Sequence, residues 1–319
     1  MNKKLIAAIA ATTMAGAIGF ASVAAAAEFN WYGSLRAGAV YSDVDAGDGS
    51  NWDLGATGND GSVGGQGLYS RIGIKASTDL GNGSSAGLHL ERGVGSTLSV
   101  RHTNVWVGGG WGKLTLGQQG NPYRSARNWD QTYFMGGQIG SDDGGSRIEG
   151  VKYSSSLSGP FQFTIMATGN DGAGKSGVDR WIAATSFDLG AVAVNLAHNT
   201  RTDDVGMDNT AIGVNGSAGD FGWYLTYQNA TDNVGDNDMD SLGGFVSLGL
   251  SDNDTLYLYH VNHDKDDGAS PTETVLGYSH SIGPGVTFIT EYLTVDKDVG
   301  TKNAGDEPQV LALVLKVDF

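Results

Sequence analysis

The stretch VLALVLKVDF at residues 310–319 decides the fold class. Leu, Val and Phe occupy its odd-numbered positions from Leu311 to Phe319, whereas Lys316 and Asp318 occupy even-numbered ones. An alternation of period two places one set of side chains on each face of a β-strand. The stretch therefore predicts a strand with one wholly apolar face.

Runs with the same alternation recur along most of the chain. In residues 161–168, for example, Phe, Phe, Ile and Ala alternate with Gln, Thr, Met and Thr. Clusters of Gly, Asn, Asp and Ser separate the runs, and these residues favour turns because they tolerate positive φ. Outside the N-terminal segment, no helical period extends beyond about ten residues. The sixteen predicted strands cover residues 29–41, 67–79, 85–95, 98–108, 112–117, 147–157, 160–169, 178–188, 191–199, 209–216, 220–230, 241–250, 253–263, 272–281, 285–296 and 308–319.

The second face of these runs decides between a soluble β-sandwich and a membrane barrel. A sandwich has charged outer faces, whereas here the other face mixes Gly, Ser, Thr, Asn and Tyr with scattered charges. That composition favours a polar lumen inside a lipid-facing exterior. In hydrocarbon every backbone N–H and C=O needs a partner, so only a closed sheet can span it. We therefore predict an all-β, 16-stranded antiparallel transmembrane β-barrel, which is wide enough to leave an aqueous channel.

Aromatic residues support the same interpretation. Several lie near the ends of predicted strands, where a girdle at the membrane interface is expected. They are Trp31, Tyr41, Trp181, Trp223, Tyr227, Tyr278 and Tyr292.

Composition narrows the function and the location. Acidic residues number 35 against 19 basic ones, so the formal net charge is −16 and binding to nucleic acid is not expected. The chain contains no Cys, which excludes a disulfide framework and thiol chemistry. Met1 to Ala27 has the basic, apolar and small-residue regions of a signal peptide, which precedes a barrel domain at 28–319. Given the net charge, a channel through this barrel is expected to prefer cations modestly.

Four short motifs resemble a known family. They are FNWYG at 29–33, YSRIGIK at 69–75, WGKLTLG at 111–117 and the terminal Phe319. In this order they look like Gram-negative outer-membrane porins of the trimeric general-diffusion type. The resemblance implies a homotrimer in contact with outer-membrane lipid and lipopolysaccharide, through which small hydrophilic solutes and ions diffuse without any enzymatic reaction. It also implies that the long segment 118–146 is a third loop folded into the pore.

The same resemblance implies a constriction, in which basic residues on the barrel wall face an acidic third loop. Opposed charges across a water-filled neck create a transverse field that orders polar solutes and disfavours apolar ones. The basic residues, matched by position or by their place on the polar face of the first strand, are Arg36, Arg71, Arg101 and Arg147. The acidic residues are Asp130, Asp142, Asp143 and Glu149, of which the last shares a face with Arg147. The residues expected to line the pore elsewhere are Lys75, Glu91 and Glu291.

Two positions conflict with simple alternation. If Arg101 faces the lumen, then His102 and Trp106 face lipid, so either a β-bulge intervenes or the assumed face is wrong. Lys152 shares its face with the apolar Ile148, and its side chain is therefore expected to extend to the membrane interface.

No cofactor is expected. Asp runs such as Asp264–Asp267 lack the complete spacing of a calcium loop, so they predict at most weak Ca²⁺ binding in acidic loops. His260 and His263 are three residues apart and point to opposite faces of a strand, which argues against a metal site. Two alternative functions remain, a solute-specific channel with a lumenal binding site and a non-channel surface barrel for adhesion or hydrolysis.

Overall fold

One antiparallel sheet contains every strand that the structure describes. The computed structural model describes residues 28–43, 51–57, 70–94, 98–127, 147–156, 159–169, 177–202, 207–232, 238–266, 270–296 and 309–319. Its strands are β1 (Glu28–Asp43), β2 (Asn51–Thr57), β3 (Arg71–Gly81), β4 (Ser84–Gly93), β5 (Ser99–Gly109), β6 (Gly112–Gly120), β7 (Arg147–Ser154), β8 (Phe161–Gly169), β9 (Val178–Asp188), β10 (Val192–Arg201), β11 (Met207–Ala218), β12 (Phe221–Asp232), β13 (Met239–Gly249), β14 (Asp254–Lys265), β15 (Thr272–Gly283), β16 (Val286–Val295) and β17 (Gln309–Asp318). A short helix, α1 (Pro122–Arg127), follows β6. Within the described ranges, no helix combines the length and the apolar character needed to cross a membrane.

The sheet closes on itself because β1 joins its two edges. The second half of β1, Ser34–Asp43, pairs with β17, and its first half, Glu28–Ser34, pairs with β3. From β3 to β17, each strand pairs with the next in antiparallel register. The result is a closed barrel with sixteen strand positions, which confirms the predicted number.

The second position of the barrel is divided between two strands. β3 fills the half beside Glu28–Ser34, and the additional strand β2 pairs with Ala37–Ser42 of β1. The alternation did not predict β2, because its seven residues lie between two clusters of turn-forming residues. β2 therefore lengthens the sheet at this position without adding to the ring.

The two ends of the barrel differ in how the strands are connected. At one end they join through short turns, such as residues 82–83, 110–111 and 219–220. At the other end the connections are longer, and the one between β6 and β7 covers residues 121–146. We call the first the short-turn end, which in transmembrane barrels of bacteria faces the periplasm.

Large apolar side chains cover the outer face. The exposed fraction is 43% for Leu315 in β17 and 58% for Phe319 directly after it, whereas Val314 on the inner side is fully buried. The aromatic residues of the predicted girdle also lie on the outer face: Trp31, Tyr41, Trp181, Trp223, Tyr227, Tyr278 and Tyr292. Such rings are favourable at the boundary between hydrocarbon and water.

The inner face is polar only in part. Inward side chains of β14–β17 and of the second half of β1 form an apolar cluster that includes Val261, Val275 and Ile289, each fully buried. The sequence interpretation assigned a polar composition to the whole inner face, but β17 presents Val310, Ala312 and Val314 on that side. Six cationic side chains lie on the adjoining part of the inner wall, on β1 and β3–β7, and Arg180 and Arg201 face inward from β9 and β10.

Candidate functional site in the barrel lumen

A single carboxylate joins basic side chains from two strands of the inner wall. Glu91 of β4 is only 4% exposed. Its Oε1 accepts a hydrogen bond from Nε of Arg101 at 2.6 Å, and its Oε2 lies 3.7 Å from Nε of Arg71. The hydroxyl of Tyr32 donates to Oε2 at 2.8 Å. The charge-assisted hydrogen bond fixes Arg101, and the ion pair keeps Arg71 at the same height of the lumen. We call these four residues the Glu91 cluster.

A β-bulge in β5 brings Arg101 into this cluster. Glu91 pairs with His102, and the next pair of the ladder already contains Val100, so Arg101 has no partner across the strands. The extra residue lets Arg101 and His102 both face the lumen, while Val100 is exposed on the outside. Further along, Trp106 also faces inward, where Lys113 contacts its ring. Of the two explanations that the sequence left open, the bulge is confirmed.

Tyr32 reaches Glu91 by lying across a glycine. Tyr32, Gly73 and Glu91 occupy directly paired positions on β1, β3 and β4. A Cβ atom at Gly73 would lie 2.5 Å from the ring of Tyr32, so a side chain there would displace the ring. We call this arrangement a Tyr–Gly–Glu row, and it explains why a glycine is required in the middle of β3.

A second Tyr–Gly–Glu row lies on β14, β15 and β16. Tyr257, Gly277 and Glu291 are directly paired there, and a Cβ atom at Gly277 would overlap the ring of Tyr257. The hydroxyl of Tyr257 donates to Oε1 of Glu291 at 2.7 Å. Glu291 faces inward but is fully buried, so the sequence placed it on the correct face without predicting its burial.

Two lysines lie between the Glu91 cluster and the short-turn end. Nζ of Lys75 lies 5.0 Å from the ring centroid of Tyr32, and Nζ of Lys113 lies 4.2 Å from that of Trp106. Cation–π attraction holds each ammonium group against its ring. Both lysines line a cavity of about 730 Å³ together with His89.

Lys152 also faces the lumen, contrary to the expected position at the membrane interface. Its partners on the neighbouring strands are the inward-facing Thr115 and Met166, and its Nζ lies 3.5 Å from the carbonyl oxygen of Gly120. Ile148, on the same face, packs against an inward apolar cluster that contains Met166. The face of β7 that the sequence suggested was outer is therefore the inner one.

Arg36 completes this side of the lumen. It follows Leu35, which is 45% exposed on the outside, so Arg36 points inward, and its backbone hydrogen-bonds with the hydroxyl of Ser70. Six cationic side chains thus share the inner face of β1 and β3–β7. We call them the basic wall: Arg36, Arg71, Lys75, Arg101, Lys113 and Lys152.

The register of β7 places Glu149 on the outer face. Glu149 pairs with Gln118, Gln118 with Thr103, and Thr103 with the outward-facing Leu90. Directly paired residues lie on the same side of a sheet, so Glu149 lies outside the lumen and not among acids of the pore. Arg147 is the first residue of β7, and its charge acts on the lumenal His102.

The chain turns inward after β6. Asn121 caps helix α1, since its Oδ1 accepts a hydrogen bond from the backbone N–H of Tyr123 at 2.9 Å. Tyr123 is fully buried against a cluster on the inner face of β8–β11 that includes Met166 and Ile182. The start of the segment 118–146 therefore lies inside the barrel. The predicted acidic residues Asp130, Asp142 and Asp143 lie outside the described residues.

A histidine pair in the lumen had no signal in the sequence. The rings of His89 and His102 stack with their centroids 4.4 Å apart, and the His89 ring hydrogen-bonds with the Tyr32 hydroxyl. The two come together only through strand pairing and the bulge. His260 and His263 contact Thr274 and Ser241 on opposite faces of β14, as their spacing predicts. In the part of the chain that the structure describes, no three His, Cys, Asp or Glu residues are grouped as a metal ion would require.

Comparisons with known proteins agree with this architecture. The family model described as Gram-negative porin matches residues 10–300. No curated protein matches the chain. Among solved structures, the anion-selective porin from Comamonas acidovorans is similar with a TM-score of 0.72 at 18% identity, over 92% of this chain and 100% of that one. The trimer form of OmpT from Vibrio cholerae has a TM-score of 0.69 at 18% identity, over 92% and 100% of the two chains. OmpF from Salmonella typhi, in complex with daunomycin, has a TM-score of 0.70 at 14% identity, over 91% and 97%.

Proposed function

From the membership of this chain in the Gram-negative porin family, which makes it an integral outer-membrane channel and not an enzyme, we propose that it lets small hydrophilic solutes and ions diffuse passively. The observation that carries the proposal is the uneven distribution of charge around the lumen. Six cationic side chains converge on one inner wall, although acidic residues outnumber basic ones in the whole chain. A wall of this kind selects hydrated, polar solutes because charges in a narrow aqueous passage penalise apolar ones.

The constriction is proposed to form at the height of the Glu91 cluster. Arg36, Arg71 and Arg101 supply its basic side, and Glu91 holds the last two in place. The inward course of helix α1 supports a third loop that crosses the lumen, with Asp130, Asp142 and Asp143 as its acidic side. Arg147, whose charge acts on the lumenal His102, adds to the basic side, whereas the register of β7 leaves Glu149 out of this arrangement.

Assembly and export complete the proposal. We expect residues 1–27 to be removed as a signal peptide and the mature chain to form a homotrimer in contact with lipid and lipopolysaccharide. The trimer form of the similar Vibrio cholerae OmpT supports the oligomeric state. Cross-linking of the purified protein in detergent, followed by denaturing electrophoresis, tests it, and a ladder that stops at the monomer would contradict it.

Recording from single channels in planar bilayers tests the function directly. A diffusion pore gives a conductance that rises in proportion to the conductivity of the bulk salt. Arg71→Glu is expected to raise the cation-to-anion permeability ratio roughly two- to fivefold, because one exposed charge pair is worth ~0.2–1 kcal/mol. The reversal potential in a salt gradient measures this change.

Arg92→Glu is the matched control. Arg92 lies one strand away from Arg71 but on the outer face, where it pairs with the outward-facing Ile72 and Val100. Its reversal potential is expected to equal that of the unmodified protein. Equal reversal potentials for Arg71→Glu and the unmodified protein would remove Arg71 from the constriction.

A further inference from the structure

The cavity that Lys75 and Lys113 line differs in charge from the Glu91 cluster. In the cluster, a carboxylate holds both arginines. At Lys75 and Lys113, by contrast, the described residues supply no carboxylate partner, and each ammonium group contacts an aromatic ring instead. Lys316 of the same barrel does have a carboxylate partner, because its Nζ lies 2.7 Å from Oδ2 of Asp318. The cavity thus holds two positive charges that no described acid neutralises directly.

The shape and the remaining lining of the cavity indicate what it accepts. Its volume of about 730 Å³ lies within the usual range for small-molecule sites, ~300–1,000 Å³. His89, Asn104 and Trp106 add polar and aromatic surface on the same inner face. Glu28 is the acid that lines the cavity, and it lies exposed at the first residue of β1. Because two lysines and only one carboxylate, at the rim, line the cavity, its interior has a positive electrostatic potential.

We propose that this cavity is a binding site for small anions that carry a phosphate group, located between the Glu91 cluster and the short-turn end. The proposal rests on the proposed function, since the lumen must be an open aqueous route. Lysine binds phosphate as a point charge, and its ammonium group needs no particular orientation of the anion. The rings of Tyr32 and Trp106 hold the two ammonium groups in place before the anion arrives, which lowers the entropy lost on binding.

This site reverses the expectation drawn from net charge. The chain is acidic as a whole, but the charges that a solute meets in this part of the lumen are basic. Bound phosphate would occupy the route and reduce the ion current. The reduction should be greater when the anion enters from the short-turn end, because the Glu91 cluster separates the cavity from the other end.

Blocking of the potassium chloride current by sodium tripolyphosphate tests the site. The purified full-length pore is inserted in a planar bilayer, and tripolyphosphate is added to each side in turn. We expect a lower half-blocking concentration from the short-turn side. Lys75→Gln and Lys113→Gln should each raise that concentration about two- to fivefold, and the double variant roughly tenfold, because each partly screened charge contributes ~0.2–1 kcal/mol.

Lys265→Gln is the matched control, since Lys265 ends β14 at the opposite end of the barrel and pairs with the inward-facing Met239. Its half-blocking concentration should stay within about a factor of two of the unmodified value. An unchanged value in the Lys75→Gln/Lys113→Gln double variant would overturn the site, as would equal block from both sides. A bilayer without any current would instead contradict the proposed function, so the two failures are distinguishable.

Discussion

The two Tyr–Gly–Glu rows place the same three residue types in the same register on two parts of the inner wall that are separated by β17. In both, a tyrosine ring lies across a glycine and its hydroxyl donates to a glutamate on the next strand. They differ on the far side of the glutamate. Glu91 meets Arg101 from the bulge in β5, whereas Glu291 lies beside Ala312 of β17 in the buried apolar part of the wall.

The same Tyr–Gly–Glu pattern therefore has a different role in each row. The tyrosine and glycine fix the height and the direction of the carboxylate in both rows. The neighbouring strand then decides whether the carboxylate pairs with a guanidinium group of that strand, as Glu91 does with Arg101, or acts from the buried apolar wall on Arg36, as Glu291 does. The Glu91 row therefore should respond to mutation in both stability and ion selectivity, and the Glu291 row mainly in stability.

The largest expected effect comes from neutralising the two glutamates. Glu91→Gln should destabilise the barrel by about 3–5 kcal/mol, because it leaves buried guanidinium nitrogen without its counter-charge. Glu291→Gln should cost only about 1–3 kcal/mol, mostly by weakening the bond from Tyr257. Equilibrium urea unfolding in lipid vesicles measures both. Equal losses for the two variants would break the distinction between the rows.

The glycines come next. Gly73→Ala and Gly277→Ala should each cost about 1–3 kcal/mol, since the added methyl group forces the tyrosine ring out of place. In a background that already carries Tyr32→Ala, the cost of Gly73→Ala should fall below about 0.5 kcal/mol, which a double-mutant cycle would reveal.

Gly120→Ala controls for the effect of adding any side chain to a barrel glycine. A Cβ atom at Gly120 meets nothing within 4 Å, so its substitution should change stability by less than about 0.5 kcal/mol. A loss at Gly120 as large as that at Gly73 would mean that the tyrosine contacts are not the cause.

Removal of the hydroxyl groups should have the smallest effect. Tyr32→Phe is expected to cost about 1 kcal/mol, because Glu91 keeps both arginines when it loses this hydrogen bond. Its reversal potential should nevertheless shift, since the carboxylate that positions Arg71 becomes less constrained. Tyr257→Phe should leave the reversal potential unchanged, and a shift there as large as for Tyr32→Phe would contradict the separate tasks.

The sixteen strands of the ring could be predicted from the sequence because the two faces of each strand meet different surroundings. The outer face contacts lipid and the inner face contacts water or buried side chains, so residue types alternate with a period of two. The terminal stretch 310–319 shows this, with Leu315 outward and Val314 inward. β2 escaped prediction because it is short and lies among turn-forming residues. β7 was assigned the wrong face, since each of its faces carries both apolar and charged residues and only its pairing with Thr115 and Met166 decides.

The candidate site was predictable only residue by residue. Arg71 and Arg101 could be chosen from their positions, but the carboxylate that joins them could not. Glu91 meets its partners across three strand pairings, and one of these depends on an unpaired residue in β5. A bulge changes the phase of every residue beyond it, and no local composition fixes its position. Register, and not residue type, therefore limits what the sequence reveals here.

The meeting of the first and last strands has a consequence for how the barrel can assemble. Gly33 and Phe319 exchange two backbone hydrogen bonds, and the Phe319 ring fills the space that a Cβ atom at Gly33 would need. Until that contact forms, β1 and β17 are two free edges, each with a row of unpaired N–H and C=O groups. Hydrocarbon penalises every such group by several kcal/mol, so a half-inserted sheet has no stable place in the bilayer. Entry into the membrane and ring closure must accordingly proceed together, and this contact, between residues almost 300 positions apart, sets the slowest search in folding.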